Sequence, residues 1–246
     1  MTRLSVNVNK IATLRNSRGK NQPNLIEAVK QLIGFGVKGI TVHPRPDGRH
    51  ILYQDIRNIK QQLNTQKEVE LNVEGYPSAD FLQLMEEIKP DQCTLVPDAP
   101  TALTSNAGWR IQENRDFLHS VLESLKKDNI RTSLFIDPFT LTEKELHTLD
   151  YLQLDRGELY TEIYASAYFT PQKESVTRTY IEAAEKLMNQ GIKVNAGHDL
   201  NLDNLTWLLK KIPQIKEVSI GHALICESLY QGMETVVRKY LAICGN

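Results

Sequence analysis

Residues 38–43, Lys-Gly-Ile-Thr-Val-His, form a short apolar run that stops on one residue able to carry a proton, His43. The arrangement recurs along the chain. The runs "SVNVN", "LNVE", "YTE", "VNAGH" and "SIGH" end at Asn9, Glu74, Glu162, His198 and His222. Parallel strands closed into a ring deliver their C-terminal ends to one face, where a barrel of alternating strands and helices builds its active site. Chemically capable residues repeated at that position point to an enzyme.

Strand candidates are Leu4–Asn9, Lys38–His43, Val69–Glu74, Gln92–Val96, Ile130–Asp137, Glu158–Ile163, Ile192–Ala196 and Glu217–Gly221. Between them, Leu25–Ile33, Tyr53–Leu63, Phe81–Ile88, Phe117–Leu125 and Tyr180–Met188 carry helical spacing. Lys144–Leu149 carries it faintly. Ile225, Leu229, Met233, Val236 and Tyr240 recur every three or four positions and predict one apolar stripe on a single last helix. Runs such as "GITV", "CTLV" and "TSLFI" read as nearly continuously apolar, as parallel strands covered on both faces do. Connections of a dozen or more residues suit right-handed crossovers. The expectation is an α/β fold, a single-domain (β/α)8 TIM barrel over residues 1–246, whose length matches the ~250 residues of such a barrel. Periodicity leaves an open doubly wound sheet as the alternative, but eight units without a dinucleotide-type glycine fingerprint favour closure.

The chain has 29 basic and 30 acidic residues, so no bulk field recruits nucleic acid or an anionic membrane. Any phosphate chemistry must be local. Hydrophobic residues at 41% and charged residues at 24% are ordinary for a globular domain. The N-terminus enters a strand almost at once, and no run approaches a membrane span, so a cytoplasmic location is expected. Cys93, Cys226 and Cys244 lack metal-type spacing and read as reduced thiols.

A glutamate inside a barrel mouth loses solvation, which raises its pKa toward the range useful for proton transfer. Glu74 reads equally well as such a group or as a rim ion pair. For Glu162 the rim reading is slightly favoured, and Glu70 could face the helices. Of six histidines, His43, His50, His198 and His222 fall at or just beyond strand ends, whereas His119 and His147 fall in helical segments. Imidazole suits repeated proton transfer near neutral pH. Zinc binding ranks lower, because no compact ligand motif is present. The turns "NAGHDL" and "IGHAL" follow the seventh and eighth strands, where barrels commonly seat a phosphate. Arg15, Arg18, Arg45 and Arg49 on the first two loops are candidate phosphate forks or solvated charge. The loop "PDAPTALTSNAGW" is small and aperiodic, a candidate lid carrying Thr104 and Ser105, with Trp109 favoured as a packed anchor over a latch.

Together "VNVNKIATLRNSRG", "GITVHPRPDGRHI", "LNVEGYPS", "LVPD" with "TSN", "VNAGHDL" and "SIGHAL" resemble the pyridoxine 5′-phosphate synthase family over nearly the whole chain. The resemblance implies condensation of 1-deoxy-D-xylulose 5-phosphate with 3-amino-2-oxopropyl phosphate to pyridoxine 5′-phosphate, inorganic phosphate and water. It implies His43 and Glu74 as proton acceptors, His198 as proton donor and Glu162 as transition-state stabiliser. It further implies Asn7, Arg18, Asp199, Gly221 and His222 as contacts to the aminoketone phosphate. Asn9, Lys10, Arg45, His50 and Thr104 would contact the sugar phosphate. Homo-oligomers, typically octamers, and no metal or organic cofactor are implied as well.

This chain departs from the family pattern at Asn9–Lys10, where many members carry Asp–His, and at Asp199, where many carry glycine. "EIYASAY" around Glu162 replaces a more common "EIHTG"-like run. A non-catalytic sugar-phosphate-binding barrel would keep the arginines and glycine turns without the proton-transfer groups. A sugar-phosphate epimerase or aldolase would need clustered metal ligands or a Schiff-base lysine, for which Lys10 is the only tempting candidate.

Overall fold

The computed structural model describes residues 1–98 and 107–245. Eight parallel strands close into one barrel in sequence order: β1 (Arg3–Asn7), β2 (Gly39–Val42), β3 (Glu70–Gly75), β4 (Gln92–Leu95), β5 (Arg131–Ile136), β6 (Arg156–Tyr160), β7 (Lys193–Gly197) and β8 (Glu217–Ile220). The ring closes where Leu4 and Val6 of β1 register with Val218 and Ile220 of β8.

The helices among the described residues are α1 (Asn9–Asn16), α2 (Leu25–Gly34), α3 (Tyr53–Leu63), α4 (Ala79–Ile88), α5 (Arg115–Lys127), α6 (Glu143–Leu152), α7 (Glu162–Ala167), α8 (Lys173–Asn189), α9 (Leu205–Lys211), α10 (His222–Gln231) and α11 (Met233–Cys244). Side-chain caps set several starts. Asn24 accepts from the Glu27 amide at 3.0 Å before α2, and Thr142 accepts from the Glu145 amide at 3.4 Å before α6. No helix of the described residues is long and apolar enough to cross a membrane.

The strands are not continuously apolar, as the sequence reading expected. They alternate. Leu4, Val6, Ile40, Val42, Leu71, Val73, Cys93 and Leu95 are buried outward against the helices. The intervening residues fill the barrel with polar groups: the Ser5 and Thr41 hydroxyls meet at 2.6 Å, Thr94 donates to Asn72 at 3.0 Å, and Gln92 donates to Glu217 at 3.2 Å. At the lower end Arg3 and Arg131 both pair with Glu70. Buried polar groups require such partners, so this interior is a hydrogen-bonded network rather than the usual Val/Ile/Leu stack.

The expected single last helix is two. Gly232, with φ 81° and ψ 141°, breaks it between α10 and α11. Val236 and Tyr240 are fully buried on α11, but Leu229 on α10 is 73% exposed and belongs to no common stripe. The strand ends also shift. Asn9 opens α1 instead of closing β1, and Glu162 opens α7 because β6 starts at Arg156 and finishes at Tyr160.

Candidate active site

The C-terminal strand ends surround a cavity of about 370 Å³. Its lining brings together eleven residues expected from the sequence: Asn7, Asn9, Lys10, His43, Arg45, His50, Glu74, His198, Asp199, Gly221 and His222. Arg18 is exposed in the turn after α1 and does not line the cavity. Thr104, with the rest of its proposed lid from 99 to 106, lies outside the described residues.

At the centre, His43 Nδ1 stands 3.7 Å from Glu74 Oε2, both side chains nearly buried. Asn9 clamps this end of β2: its amide donates to the His43 carbonyl at 3.3 Å and accepts from the His43 amide at 3.0 Å. A carboxamide can do both; a carboxylate can only accept. Glu74 in turn accepts from Ser219 Oγ at 3.3 Å.

Burial, reinforced by the positive field of Arg45, His50 and His198, lowers the His43 pKa to about 3. Burial raises Glu74, with the Asp98 and Glu217 carboxylates adding to the shift and the Ser219 hydrogen bond opposing it. At neutral pH the proton of this pair therefore sits on Glu74 and the imidazole is free to accept. His50 is lowered to about 4, first by burial and then by Arg45 and Lys10; its Nδ1 accepts from the Ile51 amide at 3.0 Å.

One titratable cavity residue escaped the sequence reading. Glu158, on β6, is 3% exposed and lines the cavity. Its carboxyl is raised well above the usual range by burial, then by Glu74 and Glu217, and Thr94 Oγ1 lies 3.5 Å from it. Gly197 on β7 leaves room for this group, since a Cβ there would collide with Glu158 Oε1. By contrast Glu162 is half-buried, does not line the cavity, and accepts from Ser166 one turn along α7 at 2.8 Å. The inward carboxylate of this segment is Glu158, which corrects the expectation placed on Glu162.

Of the four early arginines, only Arg45 reaches the cavity. Its guanidinium donates to Asp98 at 2.8 Å, both side chains being buried. Arg15 grips Asp55 through two hydrogen bonds at 2.6 and 2.8 Å, and Arg49 pairs with Asp47. Val96, Phe135 and Tyr160 form a small apolar wall, with the two rings 5.3 Å apart. Trp109 is the expected anchor: it is buried and its indole N–H donates to the Leu95 carbonyl at 2.8 Å. No group of three or more potential metal ligands clusters among the described residues.

Residues 4–246 match the family described as pyridoxal phosphate biosynthesis protein PdxJ. The chain belongs to this family. A pyridoxine 5′-phosphate synthase of Cytophaga hutchinsonii is 50% identical over 241 residues, covering 98% of each chain. One from Parabacteroides distasonis is 47% identical over 242 residues, again covering 98% of each. Among solved structures, phosphoribosyl anthranilate isomerase from Thermus thermophilus superposes with a TM-score of 0.61 at 13% identity, covering 99% of this chain and 98% of that one. That likeness concerns the barrel alone. Within the family assignment, the cavity residues are those of this chain's own strand ends, and Lys10 is the exposed cation at their rim.

Proposed function

We infer that the chain is a pyridoxine 5′-phosphate synthase, condensing 1-deoxy-D-xylulose 5-phosphate with 3-amino-2-oxopropyl phosphate and releasing phosphate and water. The observation that carries this reading is the buried His43 imidazole 3.7 Å from the buried Glu74 carboxyl at the cavity, where burial lowers the first group and raises the second. Imine formation, ring closure and aromatisation need repeated proton removal and delivery, which an adjacent acid and base perform without exchanging protons with bulk water. His43 takes the first proton, Glu74 gives one and then serves as acceptor, and His198 delivers a proton from the opposite side. Glu158 faces the developing charge in place of Glu162.

Two grips serve the two phosphates. Lys10, Arg45 and His50, with Asn9 holding the strand end and Thr104 following, suit the sugar phosphate. Asn7, Gly221, His222 and the Asp199 backbone suit the aminoketone phosphate, using the amides at the start of α10. Arg18 would have to reach in from the turn after α1. A cytoplasmic homo-octamer accompanies this reading, and sedimentation at micromolar concentration tests the assembly. The decisive experiment incubates metal-stripped protein with both substrates and follows pyridoxine 5′-phosphate by mass spectrometry together with phosphate release. Inactivity of folded protein, or strict dependence on zinc or magnesium, overturns the reading.

A further inference from the structure

His198 and Asp199 are consecutive residues with positive φ, 89° and 57°, although neither is glycine. Such backbone is strained for most side chains, and only surrounding contacts hold it. Those contacts are present: the Thr161 hydroxyl shares its one proton between the carbonyls of Gly197 at 2.7 Å and His198 at 2.5 Å, and Asn204 Nδ2 donates to the Asp199 carbonyl at 3.1 Å. None of them uses the Asp199 carboxylate. A glycine would meet the backbone demand at position 199 at least as well, so the turn itself gives no reason for an acidic side chain there.

The carboxylate goes instead to its neighbour. Asp199 Oδ2 lies 2.7 Å from His198 Nδ1, while the Tyr160 ring stands edge-on to the imidazole with centroids 5.1 Å apart. We propose that Asp199 is a positioning residue for His198, holding its Nδ1 as the proton-bearing nitrogen and turning Nε2 toward the cavity as the atom that gives and regains a proton. The inference rests on the role of His198 in the proposed reaction and deepens it. Because an ionised carboxylate accepts only, Nδ1 must donate, and the same contact stabilises the imidazolium. The hydrogen bond to His198 holds Asp199 below the usual carboxylate range, with His222 contributing. Among the groups around this imidazole are Tyr160 from β6, Asp199 from its own turn and His43 after β2, while His222 of α10 acts on Asp199.

The test compares parental enzyme with Asp199→Asn, Asp199→Gly and Asp199→Glu. Nitrogen-15 NMR of the ligand-free proteins reads the His198 tautomer without reference to turnover. The parental protein should carry its neutral-form proton on Nδ1. The Gly variant should lose that bias, and the Asn variant, whose amide can turn either its oxygen or its nitrogen to Nδ1, should weaken it. Asp199→Glu should restore part of it. In kinetics, kcat should fall in Asn and Gly variants, with KM for either substrate nearly unchanged. An unchanged tautomer in Asp199→Gly overturns the proposal whatever the activity does. A rise in KM for the aminoketone phosphate at constant kcat also overturns it, assigning the carboxylate to substrate binding. An altered NMR signature with unaltered kcat would keep the dyad but refute the proton-delivery role of His198 on which it rests.

Discussion

Replacing Glu74 by Gln should make the protein less active and, at alkaline pH, more stable. The carboxyl is buried on β3 and its pKa is raised from 4.5 to about 8. A carboxyl raised on folding contributes stability that is fully present below its unfolded value of 4.5 and is lost as pH climbs to about 8. Each pH unit in that window removes about 1.4 kcal/mol, so the whole window removes at most roughly 5 kcal/mol. Gln is neutral throughout, and its carbonyl can still accept from Ser219. The two proteins should therefore melt together near pH 5 and separate by pH 8.5, the variant higher by up to about 10–20 °C at 2–4 °C per kcal/mol. Turnover should fall by about 10²–10⁴, the usual loss when a positioned acid–base group is removed. Thermal melts from pH 5 to 9 and steady-state kinetics on the same preparations check both halves. Parallel stability profiles would refute the buried protonated carboxyl. Near-parental turnover would refute its chemical role.

Glu158→Gln should lower kcat by about 10²–10⁴, whereas Glu162→Gln should leave it within about twofold, as expected for losing a half-buried hydrogen bond within one helix; equal losses would return the role to Glu162. Gly221→Ala places a Cβ 2.9 Å from Asn7 Cβ and 3.1 Å from the Asn7 carbonyl oxygen. This overpacking should cost about 1–3 kcal/mol by denaturant melts and raise KM for the aminoketone phosphate; parental values for both would dismiss the close approach. Lys10→Met should raise KM for the sugar phosphate more than for the aminoketone phosphate, and Lys10→His should recover much of the loss, both read by initial rates. A borohydride-trapped imine at Lys10 would instead support the aldolase-like alternative.

Barrel closure was legible because strand-like runs stop on chemically capable residues, and those stops do gather: His43, Glu74, His198 and His222 line one cavity. The interior was misread. "ELNVE" and "RLSVN" alternate polar with apolar residues, yet "GITV" contains only one inward polar side chain, Thr41, and looks apolar throughout. Glu158 was missed for a related reason. "RGELYTE" offers two glutamates four positions apart, and Arg156 resembles a loop residue until the strand is seen to carry charge inward, where its guanidinium donates to Asn195 at 3.0 Å. The α10–α11 break had a signal in Gly232, since glycine inside a helical pattern often marks a stop. Spacing alone could not reveal that Leu229 faces solvent, because α10 fully buries only Leu224.

The polar interior also explains where the reactive end must be. Glu70 and Glu74 lie on the same strand, four residues apart, and are pushed in opposite directions. Burial would raise Glu70, but the combined hydrogen bonds and charges of Arg131 and Arg3 leave it below the ordinary carboxylate range. Glu217 is raised by burial and restrained by Arg156, Arg3 and Arg131. Glu74 and Glu158 lie farther up, where burial and neighbouring carboxylates outweigh the opposing contacts and both are raised. The lower barrel thus compensates buried charge with arginine, while the upper barrel raises its carboxyls beside a lowered imidazole. Opposed titration of like residues along one strand separates structural from chemical carboxylates. It supports the proposed acid–base centre at the C-terminal mouth by a route independent of the family resemblance.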